Sequence, residues 1–209
     1  MNPGFEIIMA DDHLLVVNKV SGLLSVPGRT PERQDCLWVR LQQAFPDKEV
    51  RLVHRLDRDT SGLMVFAFTR EAQKSLGQLF ERRKIRKEYL ADVEGRMERD
   101  EDVIRAPVRK DWTRNDPPVY IVCEEKGKKA ITRYRVEKRE SAFTRVRLYP
   151  VTGRSHQLRV HLRHIGHPIL GDPIYGQPLD RLHLAAVRLG FTHPGTGDPV
   201  DCHLSVPGF

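Results

Sequence analysis

Seven consecutive apolar residues, Gly62 to Phe68, form the longest apolar run of the chain and constrain its fold more than any other feature. The run is far shorter than the ~18 residues a membrane-spanning helix needs. It has no helical period, so it predicts a strand covered on both faces. A polar segment, His54-Arg55-Leu56-Asp57-Arg58-Asp59-Thr60-Ser61, leads directly into it. Thr69 follows as an N-cap for a helix whose apolar stripe is Ala72, Leu76, Leu79 and Phe80.

The flanking pattern predicts a strand over Leu14 to Asn18 and a loop around Pro27-Gly28. Asp35 is placed to cap a helix carrying Leu37, Leu41, Ala44 and Phe45 on one stripe, ended by Pro46. Strands are expected at 87–94, 103–109, 119–123, 130–138 and 143–149, with turns at Lys126-Gly127 and near Ser141. A last helix is expected from Ser155 to Ile165, with Leu158, Leu162 and Ile165 apolar, Gly166 past its end and Pro168 beyond. Many strands interrupted by few helices predict an α+β domain with a mostly antiparallel sheet. No repeat or Gly/Ser linker divides the 209 residues, so one domain over 1–209 is expected.

The three cysteines, Cys36, Cys123 and Cys202, are odd in number and far apart, which points away from a disulfide framework or a Cys-based zinc site. Residues Met1 to Glu6 lack the basic start and long apolar stretch of a secretion signal. A soluble, cytoplasmic protein is the expectation.

Thirty-five Lys and Arg against 28 Asp and Glu give a net charge of +7, which suits a polyanionic partner. Residues 82–87 read Arg-Arg-Lys-Ile-Arg-Lys, and Arg105, Arg109, Lys110 and Arg114 follow. The 82–87 run reads either as a solvated helix end or as a phosphate contact. Arg133, Arg135, Arg145 and Arg147 alternate along two expected strands. That period turns Val146 and Leu148 to a core and the arginines to solvent or phosphate.

The 54–61 segment sets two carboxylates among two arginines at the end of a core strand, where the strand fixes the loop. A salt-bridged structural turn and a catalytic loop share that composition. A carboxylate beside an arginine is held ionised, so Asp57 suits a nucleophile better than a general acid. His156, His161, His164 and His167 spread too widely around a helix to form a tight zinc set, and His167 lies past Gly166. No metal site is expected.

His54-Arg55-Leu56-Asp57 with Thr60-Ser61-Gly62 resembles the signature of the RluA family of pseudouridine synthases. Asn18-Lys19-Val20-Ser21-Gly22-Leu23-Leu24-Ser25-Val26-Pro27-Gly28 is similar to the family's N-terminal motif, and Lys87-Glu88-Tyr89 to its tyrosine motif. Pro150-Val151-Thr152-Gly153-Arg154-Ser155-His156-Gln157-Leu158-Arg159-Val160-His161 resembles its third motif. Gly166-His167-Pro168-Ile169-Leu170-Gly171-Asp172, Phe191-Thr192-His193-Pro194 and the closing Val206-Pro207-Gly208-Phe209 continue in the family's order. The chain departs from the family at Val20, where proline is usual, and at Ala185, where histidine is common. His183 is given no catalytic role.

The resemblance implies a single catalytic domain with a central RNA-binding cleft and a mixed sheet flanked by helices. Its reaction is isomerisation of uridine in RNA: the N1–C1′ bond breaks, the base turns, and a C5–C1′ bond forms. It implies Asp57 as the catalytic aspartate, Tyr89 stacked beside the target base, and Arg159 paired with the aspartate. Arg55 enters the RNA where the base leaves, and Leu184 is an apolar pocket contact. His54, Arg154 and Lys87 stand with them as substrate-binding residues. The target base must be extruded, and an aromatic ring is a sequence-tolerant surface for it. The reaction is redox-neutral and implies no cofactor.

The start at the catalytic motifs is similar to the compact branch without a separate N-terminal S4 domain, whose members modify large-subunit ribosomal RNA and the tRNA anticodon stem-loop. The partner expected is therefore RNA, and the expected state a monomer. Two other readings use the same residues. One is a non-catalytic RNA-binding or chaperone module. The other is a nucleoside or glycoside hydrolase pairing Asp57 with Asp59.

Overall fold

A computed structural model describes residues 3–205; the closing Val206-Pro207-Gly208-Phe209 lies outside the described residues. The first elements are β1 (Phe5–Ala10), β2 (Leu14–Lys19), α1 (Leu37–Ala44), β3 (Arg51–Leu52), β4 (Ser61–Ala67) and α2 (Arg70–Glu81). There follow β5 (Arg86–Glu94), β6 (Glu101–Arg105), β7 (Val108–Asn115), β8 (Pro118–Val122), β9 (Ile131–Arg139) and β10 (Phe143–Pro150). The chain continues through α3 (Gln157–His164), β11 (Leu184–Thr192) and β12 (Pro199–His203). It divides into two compact units, one of residues 3–87 together with 185–205, the other Glu88–Leu184.

In the first unit the strand order is β1-β2-β4-β11, with β12 beside β11 and β3 beside β4. β4 is the expected buried strand: Leu63 to Ala67 are at most 1% exposed. It pairs antiparallel with β2 and parallel with β11. Gly62 makes the second contact possible. Its φ is +110°, and a Cβ there would lie 2.3 Å from the Ala186 carbonyl oxygen, so only glycine fits. Thr69 caps α2 as expected, its side chain accepting the Ala72 N–H. The α2 residues Ala72 and Leu76 pack on Leu63 and Val65 of β4 and Leu189 of β11 in one core.

α1 departs from the expected start. Cys36 occupies the N-cap and makes no side-chain cap. The Asp35 carboxylate instead accepts from Arg40 Nε at 2.8 Å and Nη2 at 2.6 Å. A charged, two-pronged donor outcompetes single backbone N–H groups for it.

The second unit holds an antiparallel sheet in the order β5-β10-β9-β6 and a separate β7–β8 hairpin. Val146 and Leu148 of β10 are fully buried beside Ala91, Val93, Leu158 and Leu162. The expected strand 103–109 is two strands, β6 and β7, broken at Ala106-Pro107, where proline removes a ladder donor. The arginines of β10 meet carboxylates rather than open solvent. Arg145 holds Asp92 through two bonds of 2.7 and 2.8 Å, and Arg147 pairs with Glu88 at 3.2 Å and with Glu137. Arg133 and Arg135 of β9 are exposed.

α3 begins two residues later than expected, because His156 takes φ +54°. Among the described residues no helix is long and apolar enough to cross a membrane.

Candidate active site

In the first unit the loop carrying Asp57 is clamped to the segment after β2. Lys19, at the end of β2, is fully buried. Its Nζ donates to the carbonyls of Val20, Leu23 and Arg58 at 2.9, 2.8 and 2.9 Å. An ammonium has three donors, and all three are used. The Gly22 N–H donates to the same Arg58 carbonyl at 3.0 Å. Ser21 Oγ donates to the Asp59 carbonyl at 2.7 Å. On the other flank Ser25 Oγ donates to the Leu56 carbonyl at 2.7 Å and accepts the Leu56 N–H at 3.2 Å.

Asp57 therefore sits between residues whose backbones are fixed on both sides, with its own carbonyl accepting the Thr60 N–H at 3.2 Å. Its side chain remains half-buried. Burial pulls the Lys19 ammonium down to about 8, opposed by the charges of Asp59 and Asp57. Lys19 thus supplies both a mechanical clip and positive potential behind the two carboxylates. Asp59 is itself engaged by Arg58 Nε at 2.9 Å.

His54 and Lys87 share an aromatic neighbour. The His54 ring stacks on Phe80 at 4.5 Å, and Lys87 Nζ lies 6.0 Å from the centre of the same ring. His54 Nε2 accepts the Val65 N–H at 3.1 Å. Burial, with a smaller push from Lys87, brings the imidazole down to about 3, so it is neutral with its proton on Nδ1. This anchors the start of the loop to β4. Arg55, the next residue, is exposed.

In the second unit Tyr89 of β5 packs on the core that contains Leu158 and Leu184. Arg159, the next residue of α3, is 2% exposed. Its Nε and Nη2 each reach one oxygen of the fully buried Asp172 at 2.7 Å. Asp172 Oδ1 also accepts the N–H groups of Ile174 and Tyr175 at 2.9 and 3.0 Å. The guanidinium carbon lies 5.1 Å from the centre of the Tyr175 ring. The tyrosine hydroxyl in turn meets His156 Nδ1 at 2.8 Å, tying the left-handed His156 to the same cluster. A non-glycine residue in that conformation costs about 1–3 kcal/mol and persists only where its surroundings hold it.

Gln157 and His161 of the third motif are structural. Gln157 Oε1 accepts from the Thr152 hydroxyl and the Arg154 N–H at 2.7 and 3.0 Å. His161 is fully buried between Thr132 and the Ala106 carbonyl, both at 2.9 Å. Arg154 is exposed, its Nε donating to the Lys129 carbonyl at 3.2 Å. Among the described residues no group of three His, Cys, Asp or Glu is placed to hold a metal ion.

Lys19, Ser25 and Asp172 carry the local architecture yet were not singled out by the sequence reading. All three lie inside quoted motifs. The available signal was polar residues at the ends of apolar segments, since a charge there needs a partner to be buried.

Residues 13–164 match the model of a family described as RNA pseudouridylate synthase. A curated relative from Vibrio vulnificus (strain CMCP6), the dual-specificity RNA pseudouridine synthase RluA, is 49% identical over 203 residues, covering 92% of this chain and 80% of its own. The protein of that name from Escherichia coli (strain K12) is 45% identical over 202 residues, covering 94% and 90%. The solved structure of human RNA pseudouridylate synthase domain containing 1 superposes with a TM-score of 0.82 at 26% identity, covering 99% of this chain and 86% of that one. The chain belongs to the RNA pseudouridylate synthase family: it is an isomerase whose substrate is RNA.

Proposed function

We propose that the chain converts particular uridines of large-subunit ribosomal RNA, of a tRNA anticodon stem-loop, or of both; its relatives' name, dual-specificity RNA pseudouridine synthase, supports more than one RNA target. In this reading residues 1–209 act as one catalytic domain, and the family match, which draws on both units, supports it. The protein works as a cytoplasmic monomer.

The target nucleotide is turned out of its stack at a cost of a few kcal/mol. Arg55, exposed at the start of the loop, fills the gap left behind, and Tyr89 and Leu184 bracket the uracil. The Asp57 carboxylate acts on the nucleotide while the N1–C1′ bond gives way to the C5–C1′ bond. The C5 proton passes to solvent and N1 takes one up, so no electrons enter or leave. Arg159 orients the aspartate. His54, Lys87 and Arg154 steady the RNA around it.

The observation that carries the reading is the backbone clamp on both flanks of Asp57, by Ser25 at Leu56 and by Lys19 at Arg58. A loop built to hold one half-buried carboxylate suits chemistry that requires that group in one position. Asp57→Asn keeps the shape and removes the charge. With uridine tritiated at C5, the variant is expected to release no label above background while retaining the wild-type urea midpoint. Label release at the wild-type rate would overturn the assignment, and appearance of free uracil would favour hydrolysis.

A further inference from the structure

Trp112 keeps 70% of its surface exposed, although an indole gains more from burial than most side chains. It lies on the β7–β8 hairpin. There Asp111 pairs with Val119 and Asn115 with Pro118, and the register shifts across the Trp112-Thr113-Arg114 stretch between them. Irregularities of this kind bend a strand and re-aim its side chains, and they concentrate beside functional sites.

The bulge is a built feature. Asp111 Oδ1 accepts both the Thr113 N–H at 3.0 Å and the Thr113 hydroxyl at 2.7 Å. The base of the hairpin is anchored by Val108 and Val119 in a core with Val160 and Tyr175. The indole is therefore presented on a supported element.

Its hairpin neighbours carry three cations, Arg109, Lys110 and Arg114, against the carboxylates Asp111 and Asp116. Lys110 Nζ lies 4.6 Å from the Trp112 ring centre, Arg114 is exposed two residues on, and Arg109 precedes Lys110. An aromatic face with cations beside it is the combination that binds unpaired nucleotides, base on ring and phosphate on cation. A protein partner could also take an exposed indole. The excess of cations favours a polyanion.

We propose that Trp112 is a stacking platform for an unpaired base of the RNA substrate, other than the target uridine, with Lys110 and Arg114 contacting the flanking phosphates. The proposal rests on the reading of the chain as an enzyme acting on structured RNA. It assigns part of substrate recognition to the hairpin.

Titration of the full chain with an RNA stem-loop that it modifies tests this. Trp112→Ala is expected to weaken Kd about 5- to 150-fold, the range stacking of one base supports, with the loss falling on KM rather than on kcat. Trp112→Phe, which keeps a ring, recovers most of the affinity. RNA quenches the indole fluorescence of the wild type, and the quench is lost in Trp112→Phe, where Trp38 is the one remaining tryptophan. Lys110→Gln leaves the indole in place and lowers the slope of log Kd against log salt by about one unit.

Wild-type Kd and KM in Trp112→Ala would overturn the proposal, as would a full quench in Trp112→Phe. Absence of turnover by the wild type would overturn the functional reading instead, while the binding titration still decides the role of Trp112.

Discussion

Each unit buries one cation from the motifs, and the two are held in opposite ways. In the first, Lys19 meets three neutral carbonyls drawn from three positions, Val20, Leu23 and Arg58. In the second, Arg159 holds the Asp172 carboxylate through both arms of its fork. A lysine is a compact charge with rotatable donors, so it can gather separate backbone segments. An arginine is a planar fork, so it fixes one partner in one orientation. The lysine thus suits clipping two loops together under Asp57, and the arginine suits setting the direction of a helix and of the turn at Asp172 to Tyr175.

The difference has an energetic consequence. Asp172→Ala removes the carboxylate that takes both arms of a guanidinium 2% exposed, and loss of one partner of a buried ion pair costs about 3–5 kcal/mol. The shift in urea unfolding of the full chain measures it. A loss below about 1 kcal/mol would mean that Arg159 finds another partner and that Asp172 does not organise the cluster. Lys19→Met strands carbonyls instead of a charge. Its expected cost is about 1–3 kcal/mol, smaller than that of Asp172→Ala. Equal costs would erase the distinction between the clip and the fork.

His54 sharpens the comparison because its contribution depends on pH. The folded imidazole is held at about 3 by burial and by Lys87, against about 6.5 in the unfolded chain. Between those values the unfolded chain binds more protons, so stability is complete above about 6.5 and falls as pH is lowered toward 3. From pH 7 to pH 5 a loss of about 2 kcal/mol is expected in the wild type. His54→Gln, whose amide oxygen can accept the Val65 N–H without titrating, should lose less over the same interval. Identical pH profiles for the two proteins would remove the neutral imidazole from the anchoring of the loop.

How much of this could be read in advance depended on whether the determinants were local. β4 and α2 were legible because an unbroken apolar run and the Thr69 cap with its stripe are properties of neighbouring residues. β11 was not foreseen. Arg188 breaks its apolar pattern after four residues, and its place is set by pairing with β4 at Ala185 and Ala186, far away in sequence. α3 starts two residues later than its pattern places it because His156 takes a left-handed conformation that nothing in its side chain requires. Asp57, Tyr89 and Arg159 were legible as members of motifs. The clamp under Asp57 was not, since the oxygens that receive Lys19 belong to the backbone and leave no trace in residue identity.

The smallest effect expected is at Asp35. By local pattern it caps α1, yet Cys36 holds the cap position and the Asp35 carboxylate lies on Arg40, with 63% of its side chain exposed. Ion pairs at such exposure are screened by water and salt and contribute little. A lost N-cap, by contrast, leaves helical N–H groups without partners. Asp35→Ala should therefore leave the urea midpoint unchanged at physiological salt. A clear decrease, persisting at 1 M salt where the ion pair is screened out, would show that the carboxylate caps α1 in solution and would restore the local reading.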